Sequence, residues 1–154
     1  MAPPGSVHIP TFYRFFFTWM DPLICVWGAY MDFFDPNLVL SSHIPNLTAD
    51  VGHKMILGQR GGGMLNFGFI SAFLLRYTHD HEVWRLVQIS DLIVDFAYFW
   101  AIYNTLSAQQ RLDPTTWRAE DWGSFVITGT ATVTRIAFLM GVGLKQEAGV
   151  GKKA

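Results

Sequence analysis

The sequence predicts an all-α protein, a transmembrane four-helix bundle, and three observations carry that prediction. Four apolar stretches, at about residues 11–34, 54–77, 83–106 and 122–144, alternate with polar ones, and each is close to the roughly 20 residues a helix needs to cross a bilayer. Hydrophobic residues make up 51% of the 154 and aromatic ones 16%, while charged residues reach only 15%, against about a quarter in soluble domains. Polar residues inside the third stretch fall at helical steps: Gln88, Asp91, Asp95 and Tyr98 follow one another at three and four, so all four share one face.

Met1 to Pro10 reads as a loose, Pro-rich lead-in. It holds no Lys or Arg, and the apolar run after it is too long and lacks a small-x-small exit, so that run reads as a retained segment. Segment one, about Thr11 to Phe34, is interrupted by Asp21-Pro22. Pro22 removes a backbone donor, which predicts a kink and a freed carbonyl that must be satisfied from inside the bundle. Arg14, Thr18, Asp21, Cys25 and Gly28 share a face opposite Phe15, Trp19, Ile24 and Val26. The single cysteine, Cys25, excludes an internal disulfide and a Cys-based metal cluster and reads as packing.

Asp35 to Gly52 is predicted as a loop from Pro36, Asn37, Ser41, Ser42, Pro45 and Asn46. It carries the glycosylation acceptor pattern Asn46-Leu47-Thr48. Segment two opens poorly, because Gly58-Gln59-Arg60-Gly61-Gly62-Gly63 is a weak helix former. The Lys-Ser/Thr pair and preceding strand of a phosphate-binding loop are absent. Close helix packing through Gly58 and Gly62, or an irregular turn lining a cavity, explains the glycines better.

His79-Asp80-His81 reads as a solvated turn, with no metal expected. Segment three follows, and then a polar stretch from Ser107 to Asp121 with the helix-start pattern Asp113-Pro114. For Glu120 and Asp121 the expected role is capping of the next helix. Segment four places Arg135 on one face with Ser124, Thr128 and Thr132. An arginine inside an apolar run wants a carboxylate partner, and Asp91, Asp95 and Asp21 are the candidates. Residues 145–154 read as a flexible tail, and residues 1–154 as a single membrane domain. Four spans put both termini on one side. Arg14, Arg76, Arg85, Lys145, Lys152 and Lys153 flank it, against Lys54, Arg60, Arg111 and Arg118 opposite, a bias toward cytoplasmic termini.

A net charge of -1, with no basic run to track a phosphate backbone, excludes nucleic acid as a partner. The partners expected are the lipid bilayer and a lipophilic small molecule, with a homodimer left open and no cofactor expected. Ionisable residues in hydrocarbon cost several kcal/mol on most estimates, so Asp21, Asp91, Asp95 and Arg135 form a functional-site hypothesis by default.

The residues Ile9-Pro10, Tyr13-Arg14, Asp21-Pro22, Gly28-Ala29, Leu75-Arg76, Val83-Trp84-Arg85, Asp95, Trp117, Asp121-Trp122-Gly123 and the run from Arg135 to Leu144 carry a resemblance over most of the chain. They resemble an uncharacterised fungal integral-membrane family, a domain of unknown function with four hydrophobic segments. Members of such families occur in natural-product gene clusters, where small multi-span proteins resemble terpene cyclases and epoxide-opening enzymes. The resemblance implies secondary metabolism and a multi-pass location in the endoplasmic reticulum.

Two carboxylates one helical turn apart in a low-dielectric site do not both ionise, which yields an acid and a base. The expected chemistry is opening of an epoxide on a polyketide or terpenoid, by a hydrolase or a cyclase. The neutral member protonates the epoxide oxygen while the ionised one deprotonates water or a substrate hydroxyl, and Arg135 orients the ionised member. An Asp-Arg-Asp group resembles that of limonene-type epoxide hydrolases, on an unrelated fold. Gln88, Tyr98, Asn66, Thr132 and Trp84 are the expected substrate contacts, with aromatic faces to stabilise cationic charge. The alternative is a non-catalytic scaffold or lipid-binding protein, in which the Asp/Arg network fixes helix register and Gln88, Asn66 and Thr132 bond between helices. Ion or proton translocation along the polar face is a third reading.

Overall fold

The computed structural model describes residues 7–146, and helix dominates them, so the fold is all-α. The first long element is α1 (Thr11–Phe15), which runs through a π-helical turn (Phe16–Met20) into α2 (Asp21–Phe34). The wide turn sits just ahead of Pro22, whose ring clashes with the carbonyl four residues back in a regular α-helix. The expected kink therefore takes the form of a π turn. Its neighbour, the Thr18 carbonyl, accepts from Arg76 Nη2 at 2.6 Å, so the compensation comes from across the bundle.

The stretch expected to be a loop contains α3 (Pro36–His43). Its turn-forming residues are a helix start: Asp35 accepts from the Leu38 N–H at 3.1 Å, and Pro36 supplies a preset φ. The far end is held from a distance. Arg118 donates to the carbonyls of Ser41 and Ser42 at 2.9 and 2.7 Å, and Gln109 to that of His43 at 3.1 Å. These are carbonyls of the last turn, which have no partner within their own helix.

The second long element is α4 (Val51–Phe69), a π turn (Ile70–Leu74) and α5 (Leu75–Tyr77). Asp50 caps its start, accepting from the His53 N–H at 2.8 Å. The glycine run stays helical throughout, so the irregular-turn expectation is corrected. The close-packing expectation is also corrected in position. A Cβ at Gly62 would meet nothing within 4 Å, whereas one at Gly61 would lie 3.1 Å from the Phe33 ring and 3.2 Å from Asp32 Cβ. A Cβ at Gly68 would lie 3.1 Å from Cys25 Cβ. Gly61 and Gly68, two turns apart, are the points that let α4 lie against α2.

The third is α6 (His81–Ala108), capped by Asp80, which accepts from the Glu82 N–H at 2.8 Å. With 28 residues it is about 42 Å long at 1.5 Å per residue. Among the described residues it is the one helix that is long and apolar enough to cross a membrane. The fourth, α7 (Ala119–Leu139), starts where Asp121 accepts from the Arg118 N–H at 2.9 Å, the capping role expected of Asp121. It stops before the predicted 144. Gly141 takes φ +78°, and the Gly141 and Val142 N–H groups bond back to Phe138 and Ala137, the glycine-dependent helix stop of a Schellman motif.

Beyond that stop, β2 (Lys145–Gln146) pairs antiparallel with β1 (Val7–His8), Val7 opposite Gln146 and His8 opposite Lys145. The flexible-tail expectation is corrected for these two residues, and its remainder, with the start of the lead-in, lies outside the described residues. Just after β1, Ile9 joins a largely aromatic core with Tyr13, Phe17, Leu75, Trp84 and Phe138. Tyr13 adds a bond from its hydroxyl to the Val142 carbonyl at 3.0 Å.

Candidate functional site

The site is built on the inner face of α6. Trp84, Gln88, Asp91, Asp95, Ile102 and Leu106 are its buried residues, while Leu86, Ile93, Phe96 and Trp100 stand exposed. Along its middle the helix turns Gln88, Asp91 and Asp95 inward and large apolar side chains outward, the reverse of a water-soluble helix, while Trp84, Ile102 and Leu106 bury apolar surface toward its ends.

Arg135, from α7, fills the space between the carboxylates. Its Nη2 lies 2.8 and 2.7 Å from the two oxygens of Asp21, its Nη1 2.7 Å from Asp95 Oδ2, and its Nη2 3.9 Å from Asp91 Oδ2. All four side chains are buried. Asp21 reaches the cluster from the first turn of α2, directly after the π turn. The Thr132 hydroxyl lies 3.0 Å from Asp95 Oδ2 and 2.8 Å from the Thr128 carbonyl, so one proton serves two acceptors.

Three carboxyl groups surround one guanidinium. With all of them ionised the cluster would carry an uncompensated negative charge, which a buried site disfavours, so the arrangement favours a proton held within it. The three carboxyls are also unequal. Asp21 and Asp95 are hydrogen-bonded by Arg135, whereas Asp91 Oδ2 has no hydrogen-bond partner among the described residues. Neither do the Gln88 carboxamide atoms one turn away, although Gln88 is fully buried. The structure thus gathers Asp21, Asp91, Asp95, Arg135 and Thr132 directly, with Gln88 beside them.

The other expected contacts lie elsewhere. Asn66 is exposed on α4, and its side chain makes no interhelical hydrogen bond among the described residues. Trp84 is a core residue, its indole N–H donating to the Thr78 carbonyl at 3.1 Å. Tyr98 points away from the cluster into a pocket of about 150 Å³, lined also by His43, Arg60, Thr105 and Asp121. Its hydroxyl lies beside Ser124 and Thr128 without hydrogen-bond geometry to either. A shallow apolar groove of about 590 Å³ along α7, lined by Phe99, Trp122, Phe125, Val126 and Gly129, reaches the cluster through Thr132.

The pocket beside Tyr98 belongs to a polar end of the bundle that sequence reasoning missed. Arg60 bonds the fully buried Asp32 through Nε, at 2.8 Å, and through Nη2. Asp121 is bonded by both Arg111 and Arg118. Asp32 carried a legible signal, since it continues the face of Asp21, Cys25 and Gly28 at a step of four. His43 carried none, because only the α3 fold brings it to α6. Burial, helped by the nearby Arg60 charge, lowers the His43 pKa and so favours its neutral imidazole.

The profile of the family described as domain of unknown function DUF7704 matches residues 6–145. The chain belongs to the DUF7704 family. Comparison of this DUF7704 protein with curated proteins and with solved structures gives no match.

Proposed function

We propose that this DUF7704 protein is a four-span membrane enzyme of the endoplasmic reticulum that opens an epoxide on a lipophilic fungal polyketide or terpenoid, as a hydrolase or a cyclase. The observation that carries the reading is the inequality of the carboxyls on α6. Asp95 is engaged by Arg135 and Thr132, while Asp91, one turn away, keeps an oxygen without a partner beside the equally unpartnered Gln88. An acid and a base need that asymmetry. The inverted polarity along the middle of α6 supports the bilayer setting, as does the number of large apolar side chains exposed around the bundle. The resemblance to fungal natural-product families supports the substrate class.

In the proposed reaction Asp91 gives its proton to the epoxide oxygen as the ring C–O bond breaks. Asp95 takes a proton from water, whose oxygen forms the new bond to the ring carbon, so epoxide and water become a vicinal diol. With a substrate hydroxyl in place of water the product is a cyclic ether. Arg135 and Thr132 aim Asp95 at the water, and Gln88 holds the oxygen being protonated. The test is Asp95→Asn in microsomes supplied with a lipophilic polyene epoxide, with ¹⁸O-water reporting the nucleophile. The expected result is a loss of turnover of about 10²–10⁴-fold. Full turnover overturns the proposal.

A second reading has its own observation: Arg135 is saturated by Asp21 and Asp95, as a purely structural ion-pair network would be. On that reading Arg135→Leu costs about 3–5 kcal/mol, because buried carboxylates lose their partner. Asp95→Asn then impairs folding, so a well-folded, inactive Asp95→Asn protein argues for catalysis.

A further inference from the structure

Seven buried side-chain atoms have no hydrogen-bond partner among the described residues, and they are not scattered. Six lie along α6: His81 Nε2, Arg85 Nε, Gln88 Nε2 and Oε1, Asp91 Oδ2 and Tyr98 Oη. The seventh is Arg135 Nε, on the guanidinium that bonds Asp95 of the same helix. Leaving one such atom unserved costs about 1–3 kcal/mol, so the five between His81 and Asp91 are expensive together unless something polar serves them, whereas Tyr98 Oη lies apart in the pocket beside His43.

The steps from His81 to Arg85, Gln88 and Asp91 are four, three and three, which is one helical face covering about 15 Å at 1.5 Å per residue. Exposure rises from His81 to Arg85 and vanishes at Gln88. The Arg85 side chain is 42% exposed and that of His81 20%, whereas Gln88 is at 0%. The line therefore starts at the surface, beside Glu82, and ends at the carboxylates. At its mouth His81 Nδ1 lies 3.7 Å from Glu82 Oε1, and the opposite wall is the Phe138 ring, 5.6 Å from the imidazole. At its inner end it meets Asp95 on α6, Arg135 from α7 and Asp21 from α2.

We infer that this face is a water-lined proton path joining the His81 end of the bundle to Asp91. Water bridges polar atoms where two to four of them converge, and the row offers donors on Arg85 and both a donor and an acceptor on Gln88. A proton taken from solvent at His81 passes through these waters to Asp91, one O–H bond forming as another breaks at each hop, and can leave by the same route. Arg85 and Gln88 hold the waters without changing protonation state; Arg85 is a positioning residue, and Gln88 also contacts the epoxide oxygen in the proposed reaction.

The inference rests on the acid–base reading of the cluster and extends it. Each turnover leaves Asp91 without its proton and Asp95 with one too many. No net proton is consumed, so the pair is reset either by a proton passing from Asp95 to Asp91 through the inner waters or by uptake at Asp91 and release from Asp95 through the path, which supplies the second route.

The experiment needs no turnover. The full chain in lipid nanodiscs is transferred from H2O to D2O while the infrared carboxylic-acid C=O band is followed. In the wild type a band that Asp91→Asn abolishes shifts on exchange, and in Gln88→Leu the shift slows by about tenfold, because an apolar isostere removes the bridging atoms. Ser90→Ala, on the exposed face of α6, exchanges at the wild-type rate. His81→Phe, at the mouth, slows exchange in the same direction and serves if Gln88→Leu does not fold. A wild type without such a band overturns the path, as does Gln88→Leu exchange at the wild-type rate. Gln88-dependent exchange in a protein that opens no epoxide keeps the path and rejects the proposed reaction.

Discussion

Arg76 Nη2 donates to the carbonyl of Thr18 at 2.6 Å, where Pro22, four residues on, has no N–H to offer. The same guanidinium lies 4.1 Å over the Trp19 ring. One arginine thus ties the end of the second long helical element to the π turn of the first, one turn before Asp21. The placing of Asp21 under Arg135 depends on that tie.

Replacing Arg76 by Met is expected to destabilise the protein by about 1–3 kcal/mol, since a carbonyl is left without its donor. In a Pro22→Ala background the backbone supplies an N–H, so the Arg76→Met loss shrinks by about 1 kcal/mol. Urea unfolding of the four proteins in micelles, followed by circular dichroism, measures this coupling. Strictly additive losses would show that the arginine does not serve the carbonyl Pro22 leaves unpaired.

Glycines one position apart in α4 should respond with opposite sign. Gly61→Ala forces a methyl against the Phe33 ring and against Asp32, which Arg60 holds in place, and is expected to cost about 1–3 kcal/mol. Gly62→Ala meets open space and gains up to about 1 kcal/mol of helix propensity. Thermal unfolding midpoints of the two variants, one below and one above the wild type, are the expected result. Equal shifts would mean that α4 does not contact α2 through Gly61.

His43 gives stability a pH dependence of known sign. Its pKa is lower folded than unfolded, through burial first and the Arg60 charge second. Above the unfolded value of about 6.5 the imidazole is neutral in both states and stability is complete. As pH falls below it the unfolded chain takes up a proton that the folded one refuses, and stability drops until the folded pKa is passed. His43→Gln should remove that part of the slope between about pH 7.5 and about pH 5.5. A variant whose slope equals the wild type's places the pH response elsewhere.

Much of the helical framework was legible before the fold. Apolar runs bounded by turn residues mark the long helices, and Asp21-Pro22 marks their main irregularity. α3 was hidden because Asp, Pro, Asn and Ser start helices as readily as they make loops, and its end is capped by Arg118 and Gln109, more than sixty positions away. The stop at Leu139 was hidden because Gly141 and Gly143 look like small packing residues until their positive φ is known.

By itself the sequence determined that Gln88, Asp91, Asp95 and Tyr98 lie on one face of one helix, and that Arg135 needs a carboxylate. Both follow from a period of 3.6 residues and the cost of a buried charge, which are local facts. Only the tertiary structure decided that Arg135 grips Asp21 and Asp95 but stands 3.9 Å from Asp91, that Asn66 turns outward, and that Tyr98 meets His43. Those outcomes depend on the rotation and axial register of each helix against its neighbours. Such quantities are set by where a backbone can approach closely, as at Gly61 and Gly68, and a shift of one residue in them changes every side-chain partner while leaving each helix's own face intact.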